Sequence, residues 1–185
     1  SLNPTLRAFT TSIRNNMRNK PPVDFDKFAS EKSILFITTS PVKKALHGLA
    51  NIFVSQAISE LFTIADESIA GALEIPTDII FDDFATGAKI SDMPEKLSIC
   101  RAKGIAFSGI LLQSERQLKR MYGEYEAIEI IDQCDSYVFF GGNNYETAKA
   151  LSLKMNVPLD EILYLPVGRT IVFRRGQKPV FSTRY

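Results

Sequence analysis

Several residue types that define common protein classes are scarce in this sequence. The 185 residues include two cysteines, one histidine and no tryptophan. The single histidine, His47, lacks a partner motif and excludes most histidine-dependent metal and triad chemistry within this chain. The cysteines, Cys100 and Cys134, show no CxxC spacing and lie in apolar surroundings. We therefore predict that both are buried free thiols and that they form neither a disulfide nor a metal site.

Neither sign of charge prevails, and long apolar runs are missing. With 22 basic and 21 acidic residues the net charge is +1, so any contact with nucleic acid or membrane must come from a local patch. No apolar run approaches the ~18 residues of a membrane helix. The composition, 45% hydrophobic and 23% charged, is typical of one globular domain with a sizeable core.

Apolar segments alternate with helical patterns along the chain. Strands are predicted at 34–38, 79–82, 106–112 and 136–140, and helices at 3–20, 41–66, 92–103, 114–123 and 124–133, with a further helix after Asn144. We predict a single α/β domain over residues 1–185, with an open, mostly parallel sheet covered by helices on both faces. Residues 1–32 form a helical lead-in, and residues 170–185 form a hairpin around Arg175–Gly176–Gln177.

Two adjacent carboxylates, Asp82 and Asp83, follow directly on the apolar run that ends at Phe81. One carboxylate at a strand end can cap the next turn, but two side by side repel each other unless a proton or a cation neutralises one. Mg²⁺ prefers oxygen ligands and often takes one or two carboxylates together with water and phosphate oxygens. The pair alone leaves both a turn cap and a magnesium site open.

Arg101 and Gln113 suit a nucleotide site but also have simpler explanations. Arg101 lies near the end of the helix after Asp82, and Gln113 ends the next apolar strand. Ligands bind at the carboxyl ends of parallel strands, so we expect Asp82, Asp83, Gln113 and the Gly141–Gly142 turn along one edge. Equally, Gln113 can contact a helix N-terminus, and Arg101 can form a surface salt bridge near a helix C-terminus.

Longer segments around these residues resemble a known family. The stretch "IIFDDFATGAKISDMPEKLSICRAKGIAFSGILLQSERQLKRMYG" is similar to the Walker B and sensor region of type IV secretion coupling proteins, the TraG/TraD family. "IIDQCDSYVFFGGNNYETAKALS" and "RGQKPV" resemble the segments that follow it there. The resemblance covers residues 75–183 strongly and residues 1–70 more loosely.

The resemblance implies a function in DNA transfer. Members of this family are membrane-anchored, homohexameric, RecA-like ATPases that use ATP and Mg²⁺ at the cytoplasmic face of the bacterial inner membrane. They recruit DNA and relaxosome proteins and drive DNA transfer in conjugation. The portion matched here overlaps the region that recognises a relaxosome accessory protein in relatives. We expect this piece itself to be soluble and cytoplasmic, with membrane contact only through a segment outside it.

The resemblance also assigns roles by position. Asp82 matches the magnesium-associated Walker B acid, which would hold Mg²⁺ indirectly, and Asp83 matches the catalytic carboxylate. Gln113 matches the sensor glutamine. Arg101 matches the position of an arginine finger directed at a neighbouring subunit.

Two departures from the family pattern limit what this chain can do alone. Asp83 stands where the family usually has Glu, which shortens the reach by one methylene. No GxxxxGK[ST] phosphate loop occurs in the sequence, so the cradle of backbone N–H groups and its lysine are missing. We therefore expect a piece of a longer protein that alone neither binds ATP tightly nor hydrolyses it. In RecA-like sheets the strand of that loop lies between those matching 106–112 and 136–140.

Three functions remain open from the sequence. The first is the second half of a motor ATPase domain, and the second is a docking module without catalysis for relaxosome accessory proteins. The third is a flavodoxin-like small-molecule domain that uses the Gly141–Gly142 turn, which ranks last because it leaves Asp82, Asp83 and Gln113 without a role.

Overall fold

The computed structural model describes residues 21–39, 45–86 and 89–183. The helix predicted over 3–20 and the start of the helix predicted from residue 41 lie outside these residues. Contacts divide the chain into two compact units, residues 1–122 and 123–185, which we describe separately. The α/β class is confirmed, with a parallel strand pair, helices and a C-terminal antiparallel hairpin. The single domain stays a prediction.

Four helices are described in the first unit. They are α1 (Phe25–Ser30), α2 (Ala45–Glu67), α3 (Met93–Cys100) and α4 (Glu115–Tyr122). Asp24 begins α1 by accepting a hydrogen bond from the Lys27 backbone N–H over 2.9 Å. A 3₁₀ turn, Arg101–Lys103, follows α3 and ends at Gly104 in the left-handed conformation, φ +74°. The helix predicted over 92–103 therefore ends at a glycine, the residue that takes this conformation with the least strain.

The strands of the first unit form a parallel pair, β1 (Thr77–Phe81) beside β2 (Ile105–Ile110). The pairing runs from Thr77 opposite Ile105 to Phe81 opposite Ile110, with a register shift between Ile79 and Ile80. Ile105 of β2 joins Leu61 and Ala65 of α2 in one apolar core. That packing fixes the strand pair against α2.

The strand predicted at 34–38 is wrong. Residues 32–39 have no regular secondary structure, and the Ile34 and Phe36 side chains are 79% and 82% exposed. A short apolar run forms a strand only if a neighbouring strand supplies partners for its backbone hydrogen bonds. Among the described residues, no strand pairs with this segment.

The second unit contains three helices and three strands. They are α5 (Glu124–Asp132), β3 (Ser136–Phe139), α6 (Tyr145–Met155), α7 (Leu159–Leu163), β4 (Arg169–Arg174) and β5 (Val180–Thr183). Asn144 caps α6 as predicted, because its side chain accepts a hydrogen bond from the Thr147 N–H over 3.0 Å. Leu151 of α6, Ile162 of α7 and Ile171 of β4 form the core.

The strand at 136–140 was predicted among the parallel strands, with its neighbour left open and the C-terminal hairpin extending the sheet. In the structure β3 pairs antiparallel with β4, which pairs antiparallel with β5, and no strand of the described residues pairs parallel with β3. The apolar composition of β3 predicts a strand but carries no information on its partner, which is set by contacts far along the chain. The hairpin predicted at the C-terminus is confirmed, and it supplies that partner.

One helix has the length and the apolar composition of a membrane span. Within the described part of the chain, His47–Glu67 of α2 is long and apolar enough by length and composition to cross a membrane. Leu61 and Ala65 of this helix are buried in the core of the first unit, but only 17% of its most apolar stretch is buried. The segment also contains polar residues, so it is not an unbroken apolar run.

Both cysteines are free thiols, as predicted. Cys100 at the end of α3 is buried, whereas Cys134 after α5 is only half-buried. The prediction of burial is therefore fully met at Cys100 alone.

Candidate functional site

The candidate site lies where β1 and β2 end side by side. The backbone N–H of Leu111 donates to the Phe81 carbonyl over 2.9 Å, and the Phe84 N–H donates to the Leu111 carbonyl over 3.0 Å. These two bonds continue the strand ladder past the ends of both strands. The segment that carries Asp82 and Asp83 is thereby held against the segment that leads to Gln113.

Asp83 has an unusual backbone conformation. Its φ is +52°, in the left-handed region that aspartate enters more readily than most residues. Its carbonyl accepts two hydrogen bonds from Thr86, from the N–H over 3.0 Å and from the hydroxyl over 2.8 Å. The chain therefore turns at once into the 3₁₀ segment Phe84–Thr86, and the two adjacent carboxylates do not continue the strand.

Aromatic packing supports the turn beneath the carboxylates. The buried Phe84 ring lies 5.0 Å from the Phe81 ring and stacks on Tyr122 at 5.7 Å, centroid to centroid. The Tyr122 hydroxyl accepts a hydrogen bond from the Ile90 N–H over 3.1 Å. These contacts join the turn to α4, so the apolar residues of the site have a structural role and the polar ones remain at the surface.

Gln113 contacts Asp83 directly. Its side-chain Nε2 donates to Asp83 Oδ1 over 3.1 Å, and its Oε1 accepts from Nε2 of Gln117 over 3.2 Å. A carboxylate only accepts hydrogen bonds, so the orientation of the Gln113 amide follows from its two partners. The chain Asp83–Gln113–Gln117 connects the end of β1, the end of β2 and the first turns of α4.

Asp82 and Asp83 are exposed at this edge and supply the oxygen donors that Mg²⁺ prefers. Within the described ranges, no group of three or more His, Cys, Asp or Glu side chains is placed to hold a metal. A cation here would therefore be held by one or two carboxylates, with water completing its shell. That arrangement fits Mg²⁺ better than Zn²⁺.

Arg101 lies at the other end of the strand pair. It opens the 3₁₀ turn that precedes β2, and the carbonyl of Gly104, at the end of that turn, accepts a hydrogen bond from the Thr77 N–H at the start of β1. Gln113 follows the far end of β2. At about 3.3 Å per residue, the length of β2 separates the two positions by roughly 20 Å. Arg101 therefore does not join the cluster at the carboxyl edge of its own chain.

Sequence reasoning missed two contacts near the site and left one placement open. Gln117 orients Gln113, and a glutamine four residues further along a predicted helix is the signal that would have found it. Ser108 donates from its hydroxyl to Asp78 Oδ1 over 2.7 Å across the strand pair. Gly141 and Gly142 lie in the second unit, after β3, and their place beside the carboxylates stays a prediction.

Residues 76–155 match the family described as "TraM recognition site of TraD and TraG". This match covers the whole candidate site and continues through β3 and α6. It confirms, over this segment, the family resemblance that the sequence predicted. None of the curated proteins compared with the chain is a significant match.

Solved structures of the conjugative coupling protein TrwB share the fold. The chain is 21% identical to unbound bacterial TrwB, with a TM-score of 0.64. The matched region covers 76% of this chain and 38% of the TrwB chain. Two further TrwB structures match as well, one with the ATP analogue ADPNP and one with ADP and Mg²⁺. Each is 22% identical to this chain with a TM-score of 0.64, and each match covers 76% of this chain and 37% of the TrwB chain. The chain thus spans little more than a third of the TrwB chains that it matches.

Proposed function

We propose that this chain is part of a conjugative coupling ATPase and supplies the carboxylates and the sensor amide of its nucleotide site. The observation that carries the proposal is the hydrogen bond from Gln113 to Asp83 at the carboxyl edge of β1 and β2. A glutamine at this place can hydrogen-bond both the carboxylate and a phosphate or water, which is what reporting the state of the nucleotide requires. The family match over residues 76–155 and the fold shared with TrwB support the same reading.

Each polar residue at the edge has a separate task in this proposal. Asp82 would hold Mg²⁺ through water, and the ion would supply positive charge toward phosphate oxygens. Asp83 accepts a hydrogen bond from the attacking water and orients it. Gln113 uses one amide N–H for Asp83 and keeps a second N–H for phosphate or water. A change at the phosphate then reaches α4 through Gln117.

Arg101 serves the site of a neighbouring subunit in this proposal. Its place before β2, roughly 20 Å from Gln113 along the strand, suits a residue that points its charge at another protomer's nucleotide. An assembled homohexamer then has sites that are each completed by two chains. DNA and relaxosome proteins are the cargo of the whole protein, which works at the cytoplasmic face of the inner membrane.

The chain alone is proposed to be inactive. The phosphate loop that positions ATP is absent from the sequence, and contacts made through Mg²⁺ and water are weak without it. Isothermal calorimetry of the 185-residue chain with Mg-ATP should show no binding at micromolar concentrations. A micromolar dissociation constant would show that a complete nucleotide site exists in this chain.

A docking module for relaxosome accessory proteins is the second candidate. The description of the family that matches residues 76–155, a TraM recognition site, favours it. The two functions are separated by variants at the edge of the strand pair. In the full-length protein, Asp83→Asn should stop DNA transfer between cells and leave assembly intact. Normal transfer by this variant would support docking without catalysis.

A further inference from the structure

Helix α4 contacts the candidate site at both of its ends. Near its start, Gln117 donates from Nε2 to Oε1 of Gln113 over 3.2 Å. Its last residue, Tyr122, stacks on Phe84, with ring centroids 5.7 Å apart and an angle of 12° between the ring planes. Gln113 donates to Asp83, and Phe84 is the residue that follows Asp83. Both partners of the bond between Gln113 and Asp83 are therefore held by the same helix.

Tyr122 is fixed by more than its packing on Phe84. It is 5% exposed, and its hydroxyl accepts a hydrogen bond from the N–H of the buried Ile90 over 3.1 Å. The Lys89 ammonium lies over the same ring, 5.4 Å from its centroid, a distance at which a cation is attracted to an aromatic face. These contacts hold the ring in one orientation, because tilting it would break the bond to Ile90.

The turn at Asp83 depends on tertiary contacts for its conformation. Asp83 has a φ of +52°, which is disfavoured for a residue other than glycine and persists only where the surrounding structure imposes it. Two contacts of the next residue, Phe84, fix the turn. Its N–H donates to the Leu111 carbonyl over 3.0 Å, and its ring packs on Phe81 and Tyr122. The Phe84 ring therefore links the position of Tyr122 to the backbone at Asp83.

We infer that Tyr122 is a positioning residue for Asp83. Its ring, acting through Phe84, keeps the Asp83 carboxylate within hydrogen-bond distance of the Gln113 amide, which Gln117 holds from the other end of α4. The inference rests on the proposed function for the purpose of this contact, which is to orient water and sense phosphate. The positioning itself is a property of this chain, so it can be measured without nucleotide.

Two-dimensional NMR of the isotope-labelled 185-residue chain tests the inference. The side-chain amide of Gln113 gives its own pair of proton signals, which are assigned by their loss in Gln113→Glu. Asp83→Gly removes the carboxylate and tolerates the left-handed backbone, so it gives the signal of the broken contact. Tyr122→Leu should move the Gln113 signal roughly half or more of the way to that position. Tyr122→Phe keeps the ring and should leave the signal near its original position.

The matched control is Tyr125→Leu, the same change at a tyrosine that is 86% exposed, and it should not move the Gln113 signal. Urea unfolding is measured alongside, because a merely structural role predicts that the signal follows stability. Tyr122→Phe leaves the Ile90 N–H without its partner, so it should lose stability and still keep the signal. Phe84→Leu removes the same stack from its other member and should move the signal as Tyr122→Leu does, which decides the question if Tyr122→Leu does not fold.

Two results would overturn the inference. One is a Gln113 signal that stays in place in every folded variant that lacks the ring stack. The other is a signal that moves as far in Tyr122→Phe as in the variants without the stack. The proposed function is tested separately, by DNA transfer of the Asp83→Asn variant of the full-length protein, so either idea can fail while the other stands.

Discussion

Gln113 and Asp83, thirty residues apart in the sequence, are joined by a hydrogen bond of 3.1 Å from Nε2 to Oδ1. The parallel register of β1 and β2 places the two strand ends side by side. The Gln117 side chain then decides which end of the Gln113 amide faces the carboxylate. The contact therefore depends on two strands and one helix, and it couples the turn after β1 to α4.

Gln113→Glu tests that contact with almost no change in shape. A glutamate side chain has no donor at neutral pH, so the bond to Asp83 becomes a repulsion. We expect both Gln113→Glu and Gln113→Ala to abolish DNA transfer by the full-length protein. Because both partners are exposed, urea unfolding of the 185-residue chain should change by less than about 1 kcal/mol in Gln113→Ala. Gln133→Ala, an exposed glutamine after α5, is the control for both measurements.

Either of two results would count against the sensor role. One is normal DNA transfer by Gln113→Glu. The other is a large loss of stability in Gln113→Ala, which would give the residue a structural role instead.

The local features of the fold could be predicted from the sequence because they depend on short-range physics. The stop at Gly104 follows from a glycine after a helical pattern, and the start at Asn144 follows from its capping side chain. The strands at β1 and β3 follow from apolar, β-branched and aromatic residues. None of these features requires knowledge of a distant segment.

The pairing of strands could not be predicted in the same way. An apolar segment such as 34–38 has the composition of a strand, yet in the structure it remains exposed and without a partner among the described residues. β3 was assigned to the parallel sheet, but its partner in the structure is β4, whose paired residues lie 32 to 38 positions further along the chain. The candidate site was predicted as far as Asp83 and Gln113, because both follow strands. Gln117 was missed because its role depends on the position of α4.

Phe84→Ala should destabilise the chain more than any change among the polar residues of the site. Phe84 is 7% exposed and packs on both Phe81 and Tyr122, so truncation leaves a cavity and removes two ring contacts. We expect a loss of about 3 kcal/mol in the free energy of unfolding, measured in urea. Phe36→Ala is the matched control, because Phe36 is 82% exposed and should change stability by less than about 0.5 kcal/mol. Similar losses in the two variants would contradict the packing described here.

Asn144→Ala should weaken the start of α6. The Asn144 side chain satisfies the N–H of Thr147, and alanine leaves that group without its partner. The free energy of unfolding should fall by about 1 kcal/mol. The preceding residue offers a close comparison, since Asn143 is exposed and makes no capping bond, so Asn143→Ala should be nearly neutral. Equal effects would show that the cap does not contribute.

The two thiols should react slowly and at different rates. Burial raises the pKa of the Cys134 thiol above its ordinary value of 9.0, with Lys154 opposing the rise and Asp135 adding to it. Burial also raises the pKa of the Cys100 thiol, and hydrogen bonds from the backbone of Arg101 and of Cys100 itself oppose this rise. Because the thiolate is the nucleophile, iodoacetamide should modify both cysteines more slowly than free cysteine at pH 8, and Cys134 before the more deeply buried Cys100.

The same shifts predict a loss of stability at alkaline pH. The folded chain keeps the two thiol protons to a higher pH than the unfolded chain. The thiols' contribution to the free energy of unfolding is therefore complete below pH 9.0 and is lost as pH rises through the raised pKa values. Unfolding in urea at pH 8 and pH 10 measures this loss. The variant Cys100→Ser with Cys134→Ser should show a smaller difference between the two pH values, and an unchanged difference would contradict the assignment.

Arg101→Ala and Gln113→Ala should complement each other if Arg101 acts on a neighbouring subunit. In a mixed ring, a Gln113→Ala protomer supplies an intact Arg101, and an adjacent Arg101→Ala protomer supplies an intact Gln113. The interface between them then holds one complete site. We expect full-length protein carrying either change alone to transfer no DNA, and co-expression of both forms in one cell to restore part of the transfer.

A protein carrying both changes in one chain is the control, and mixed with either single variant it should restore nothing. If Arg101 instead served its own chain, every site in the mixed ring would lack one of the two residues and transfer would stay absent. That outcome would contradict the proposed action of Arg101 on a neighbouring subunit.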